Sequence, residues 1–145
     1  MNEAHLHLLL NHSPLLTCLF GLVLLLIGLL RPTPVLIRTG LWTILVAAVL
    51  CLPTQLTGEG AEEALSSLPG ISPSLIQAHE KAAELGFWAL ELTGALALVT
   101  LQLTSRLRLM AWLTVVGALL SLGLLARAAN LGGAIRHPEI RAAAR

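Results

Sequence analysis

Apolar residues fall in four runs along the chain, 15–30, 35–52, 85–104 and 109–129, separated by polar segments of very unequal length. Each run approaches the roughly 20 helical residues that cross a bilayer core. The breaks between the first and second runs ("RPTP") and the third and fourth ("SRLR") are short, so the runs pair into two helical hairpins. The pattern predicts an all-α integral membrane four-helix bundle, a single four-span domain over 1–145. An even number of spans returns the chain to its starting side. Segments 1–14, 53–84 and 130–145 are therefore expected at one end of the bundle.

These polar segments carry their own signals. Ser13-Pro14 and Ser72-Pro73 repeat one device, serine as helix N-cap and proline at the first helical position. The first would leave His12 at the mouth of span one. If 6–11 is also helical, His5 and His12 share a face. "TGEGAEEALSSLPG" predicts a short outer helix within the 53–72 connection, Glu62 and Glu63 in its first turn, and a Pro-Gly stop. From Pro73 a helix is expected to run unbroken to Thr104, about 48 Å, so its first turns project beyond a core of about 30 Å. After span four, Asn130 or Gly132 is expected to end the helix in a left-handed conformation. The Gly132-Gly133 pair would then let His137-Pro138-Glu139 fold back over the bundle mouth.

Composition agrees with a membrane protein: 56% hydrophobic and only 12% charged residues, where a soluble domain carries about a quarter charged. Net charge is +1 and no basic stripe is present, which argues against nucleic-acid binding. The N-terminus has no positively charged stretch and no A-x-A-like cleavage site follows the first run, so that run is expected to be a retained helix. The two short turns contribute Arg31, Arg38, Arg106 and Arg108 and no acid, whereas all eight glutamates lie toward the other side. By the positive-inside rule the arginine turns face the cytoplasm of a bacterial inner (plasma) membrane, with both termini on the outer, periplasmic side. Trp42, Trp88 and Trp112 stand near span ends, as an interfacial belt requires.

The same sorting places all five histidines, His5, His7, His12, His79 and His137, at the outer end, from three segments distant in sequence. Imidazole with carboxylate suits iron, copper or zinc. His12, His79 and His137 are the candidate metal ligands, with Glu62, Glu63 and Glu80 as further ligands or as groups orienting them. Two facing imidazoles also suffice for a b-type haem. His12 with His79 is the expected axial pair, His7 and His137 a second pair or supporting set, and Asn11 and Glu80 would orient the rings. The function that follows is electron transfer, beside a redox protein or larger membrane complex. The plainer reading is that these histidines bond to backbone or lipid headgroups and the glutamates are solvated. The protein is then a structural or accessory subunit, or a homo-oligomer, that docks a partner through 53–84.

Glu91, about two turns inside span three, is costly unless paired or protonated. A structural ion pair between Glu91 and Arg127 is expected, with proton or small-ion carriage as the alternative. Cys18 and Cys51 stand in the outer thirds of neighbouring spans and could form a disulfide, although buried thiols are the default. Hydrolytic chemistry lacks any nucleophile elbow or phosphate-binding glycine loop, so the chain reads as an electron-transfer or structural protein rather than an enzyme.

Three segments, "HLHLLLNHSP", "TGEGAEEALSSLPGISPSLIQAHEKAA" and "ARAANLGGAIRHPEI", together resemble an uncharacterised family of small four-span bacterial membrane proteins. The resemblance covers nearly the whole chain. It implies the four-span architecture with these three segments on the outer face, and it supplies no activity.

Overall fold

The computed structural model describes residues 2–66, 68–137 and 139. The described chain is helical and has no strand: α1 (Glu3–Leu10), α2 (Ser13–Leu30), α3 (Pro34–Leu56), α4 (Gly58–Ser66), α5 (Pro73–Gln102) and α6 (Leu107–Arg136), with a 3₁₀ turn at Thr104–Arg106. Four helical runs, Glu3–Leu30, Pro34–Ser66, Pro73–Gln102 and Leu107–Arg136, are long and apolar enough to cross a membrane. This is a multi-pass, all-α membrane bundle.

Proline sets three of the helix starts. Pro14, Pro34 and Pro73 each stand in a first turn, where the missing N–H leaves no bond unmade and φ is already helical. The expected serine caps are not formed. Position 12 precedes α2 in place of Ser13, and the Ser13 hydroxyl donates back to Leu10 O at 2.7 Å. That bond ties α1 to α2 across the bend at Asn11–His12, because the last carbonyls of α1 lack intrahelical partners. Ser72 does precede Pro73, but its side chain makes no capping bond and pairs with the Ser74 hydroxyl instead.

At the other junction, Pro53 lies in the last turn of α3. The N–H and the hydroxyl of Thr57 both bond Pro53 O, at 3.1 and 2.9 Å. The ladder ends there and α4 begins at once. Its first-turn acid is Glu59; Glu62 and Glu63 come a turn later than expected. The Pro-Gly stop is real, with Gly70 at φ +82°, a conformation open to glycine.

The hairpins are held by small residues and hydroxyls. Between α2 and α3, a Cβ on Gly28 would stand 2.6 Å from Ile37 N, and one on Gly40 2.6 Å from Leu25 N. The two backbones meet because neither position carries a side chain. Between α5 and α6, Thr93 bonds Ser121 at 3.1 Å and Thr100 reaches Thr114 at 3.5 Å. Gly117 faces Thr93, so the Gly117/Ser121 face does pack closely as expected. The core between the hairpins is apolar, with Leu25, Leu41, Ile44, Leu90 and Ala97 fully enclosed. At the arginine end, Arg108 donates to Leu29 O at 3.3 Å, satisfying a terminal carbonyl of α2.

The outer surface is apolar. Leu16, Phe20, Val49, Leu92, Val116 and Leu120 are exposed, a belt that water would not tolerate at this extent and lipid does. Trp42, Trp88 and Trp112 are exposed with them.

The end of span four differs from expectation. Neither Asn130 nor Gly132 stops α6, which continues to Arg136. Gly132 is packed against the ring of His79 and serves as a contact within the helix, not as a terminator. Of the segment expected to fold back, His137-Pro138-Glu139, Pro138 lies outside the described residues, as do 140–145. At the opposite end α5 stops at Gln102, short of Thr104.

Candidate functional site

Two histidines are fixed by backbone carbonyls of neighbouring helices. α1 is opened by the Asn2 side chain, which accepts from His5 N at 3.0 Å, and it lies against α4 and the end of α3. His7 on its inner side places Nδ1 at 3.0 Å from Thr54 O and 3.3 Å from Thr57 Oγ1. Thr54 O belongs to the last turn of α3, where carbonyls outrun the helical ladder. On the other hairpin, His79 places Nδ1 at 2.9 Å from Ala128 O, its ring lying over Gly132.

A carbonyl can only accept. In both rings, therefore, Nδ1 carries a proton, and in the neutral imidazole the lone pair is left at Nε2. Among the described residues no hydrogen bond forms at either Nε2. The two rings share the same end of the bundle: burial holds the His7 imidazole below its ordinary pKa, against the opposing bond to Thr54, and His79, when protonated, adds to the lowering. Within the Glu3–Leu30 run, His7 lies on α1, ahead of the bend at Asn11–His12 and the apolar stretch 15–30.

The remaining expected residues are dispersed. His12 is exposed and its Nδ1 closely contacts Asn11 Oδ1, so Asn11 does hold that ring. His137 pairs with Glu139 at 2.8 Å, both exposed, a bond that solvent screens heavily. His5 is exposed on α1. Glu62 and Glu63 lie on α4 without a hydrogen bond to any histidine among the described residues. Glu80 lines a groove with Gln55, Glu84, Phe87 and Trp88. Among the described residues, no three His, Cys, Asp or Glu side chains lie together as a metal-holding group, so the set of His12, His79 and His137 with Glu62, Glu63 and Glu80 is not preassembled.

The Glu91–Arg127 ion pair is also not formed. Glu91 lies near Cys51 of α3, and its Oε1 is buried without a hydrogen-bond partner. Arg127 is exposed, in a groove with Lys81 and Leu85. The α5–α6 register explains the separation. His79 meets Ala128 and Gly86 meets Leu125, so Arg127 stands level with residues near 81–85, above Glu91. Cys18 and Cys51 are free, buried thiols.

Sequence reasoning named His7 and His79 but not their carbonyl acceptors. The available signal was Pro53 followed by Thr54 and Thr57, a helix end rich in hydroxyls. Gly132 offered another, being a glycine one turn after Ala128 on the helix that faces His79.

Compared with known proteins, the chain matches no family model, no curated protein and no solved structure.

Proposed function

We propose that this is a bacterial inner-membrane protein, both termini outside, whose His7 and His79 imidazoles bind b-type haem or a transition-metal ion (iron, copper or zinc) for electron transfer. One observation carries the reading: both rings commit Nδ1–H to a backbone carbonyl of a neighbouring helix, which fixes the tautomer and leaves Nε2 with its lone pair. That is the arrangement by which proteins orient an imidazole for ligation. His12, held by Asn11, and His137 stand as supporting candidates at the same end. Bound there, haem or a redox-active ion would supply a one-electron carrier; the chain's own part is to hold the imidazoles oriented. The arginine turns at the opposite end support the orientation.

The visible spectrum of detergent-purified protein, before and after dithionite, tests this, together with elemental analysis. A Soret band that sharpens on reduction and disappears in both His7→Ala and His79→Ala supports the haem reading. A colourless, metal-free protein overturns it.

A second reading rests on the same two bonds: they join α1 to α3 and α5 to α6, and so lock the end of the bundle. On that reading the protein is a non-catalytic accessory subunit, docking a redox protein, a larger complex or its own copy through 53–84. Both alanine variants would then lose stability while bound cofactor, absent from the start, stays unchanged.

A further inference from the structure

Two grooves beside α5 differ in charge. Glu80 and Glu84 line one with Gln55, Phe87 and Trp88. Lys81 and Arg127 line the other, of about 360 Å³ between α5 and α6, with Ser74 and Gln77 along its length and Leu85 at its lower end. No carboxylate is among the groove's described lining residues, and neither cation has an ion pair among the described residues. Ala82 is almost wholly buried, so the floor is small and the two cations overhang open space. Seven of the eight glutamates in the sequence flank the outer ends of the spans, yet the only lysine and an arginine line one groove with no carboxylate among its described lining residues.

The height of this groove indicates its occupant. Leu85 opens the apolar run 85–104, and Trp88, one turn further in, is exposed at the surface. Lys81 and Arg127 thus stand at the border of the hydrocarbon, where phosphates of the lipid headgroups lie. A phosphodiester monoanion there can accept from the guanidinium fork and from the ammonium together. The exposed apolar surface from Leu85 downward continues the path of an acyl chain.

We propose that the Lys81–Arg127 groove is a binding site for the headgroup phosphate of an anionic phospholipid. The preference comes from two cations unopposed within the groove, and the Ser74 hydroxyl and Gln77 amide offer donors to the headgroup beyond the phosphate.

Spin-labelled phosphatidylglycerol and phosphatidylcholine, compared in vesicles containing the full-length protein, read this preference as the fraction of motionally restricted label. Phosphatidylglycerol is expected to be retained over phosphatidylcholine, and Lys81→Gln or Arg127→Gln each to lower that preference about five-fold. Lys81→Arg should keep it, and Arg136→Gln, which removes the same charge outside the groove, should leave it unchanged. Equal loss in Arg136→Gln would reduce the effect to general surface charge and overturn the proposal. So would displacement of the label by added inorganic phosphate, which would mark a site for the free anion, or no preference in the wild type. Circular dichroism of each variant confirms that the bundle is intact before its lipid preference is compared.

Discussion

His79 and Gly132 are fitted to one another across the α5–α6 hairpin. A Cβ at position 132 would stand 3.0 Å from His79 Cε1 and 3.2 Å from Nδ1, the atom that bonds Ala128 O. Gly132→Ala must therefore move the ring or break that bond. Alanine's better helix propensity, about 0.5–1 kcal/mol, opposes the crowding, but an overpacked contact costs about 1–3 kcal/mol. Net destabilisation is expected. Gly123 is the internal control, with nothing within 4 Å of a Cβ there, so Gly123→Ala should be neutral or stabilising. Thermal denaturation of both variants in one detergent checks the contrast, and equal behaviour would show that His79 does not occupy this position.

Protonation of His7 opposes folding. Burial, the largest effect, and the nearby His79 hold it below its ordinary value of 6.5, the bond to Thr54 acting the other way. Between the depressed folded value and 6.5 the unfolded chain binds more protons, so this contribution is fully present above 6.5 and is lost as pH falls through the folded value. Denaturation midpoints measured from about pH 8 down to about pH 5 should decline through that window. The decline should be smaller in His7→Asn, whose amide can replace Nδ1–H at Thr54 O but does not titrate. An unchanged slope in His7→Asn would assign the pH dependence to other groups.

The Thr93–Ser121 bond, 3.1 Å long and buried, gives a measurable coupling between α5 and α6. With two protons for three contacts, one hydroxyl donates across the interface while the other donates to its own carbonyl four residues back, Ala89 O or Gly117 O, so each still has that carbonyl as a partner when the other is removed. A double-mutant cycle with Thr93→Val and Ser121→Ala is expected to return a modest interaction energy, about 0.6 kcal/mol, the scale of interhelical hydrogen bonds within membranes. Additive single-mutant effects would mean that the two hydroxyls do not bond in the bilayer.

Helix number, hairpin pairing and the proline-led starts were legible in the sequence because each depends on local pattern: run length, short turns and the fixed φ of proline. What was not legible depended on how one helix is set against another. Arg127 reads from hydropathy as lying at a depth comparable with Glu91, but the α5–α6 register sets it level with residues near 81–85, and run length carries no such register. Gly132 failed as a terminator for a related reason. A glycine that makes room for a side chain on another helix looks the same in one dimension as a glycine that ends its own. The gathering of histidines at one end followed from topology, whereas the selection of His7 and His79 as the carbonyl-anchored rings required the carbonyls of Thr54 and Ala128, which no residue-type pattern displays.

Glu91 is the clearest case of a residue kept at a cost. Its Oε1 is buried with no hydrogen-bond partner, near Cys51 of α3, and an unsatisfied buried polar atom costs on the order of 1–3 kcal/mol. Methionine is close to it in length, flexible and apolar. Glu91→Met is therefore expected to raise the denaturation midpoint by an amount of that order, while Glu91→Gln, which keeps a polar group in the same place, should change it little. A fall in stability in both variants would show that the carboxyl makes a specific contact in the membrane. A rise in Glu91→Met would mark the carboxylate as a group that folding does not require, and its retention would then have to be explained by what it does, such as holding a proton within the span.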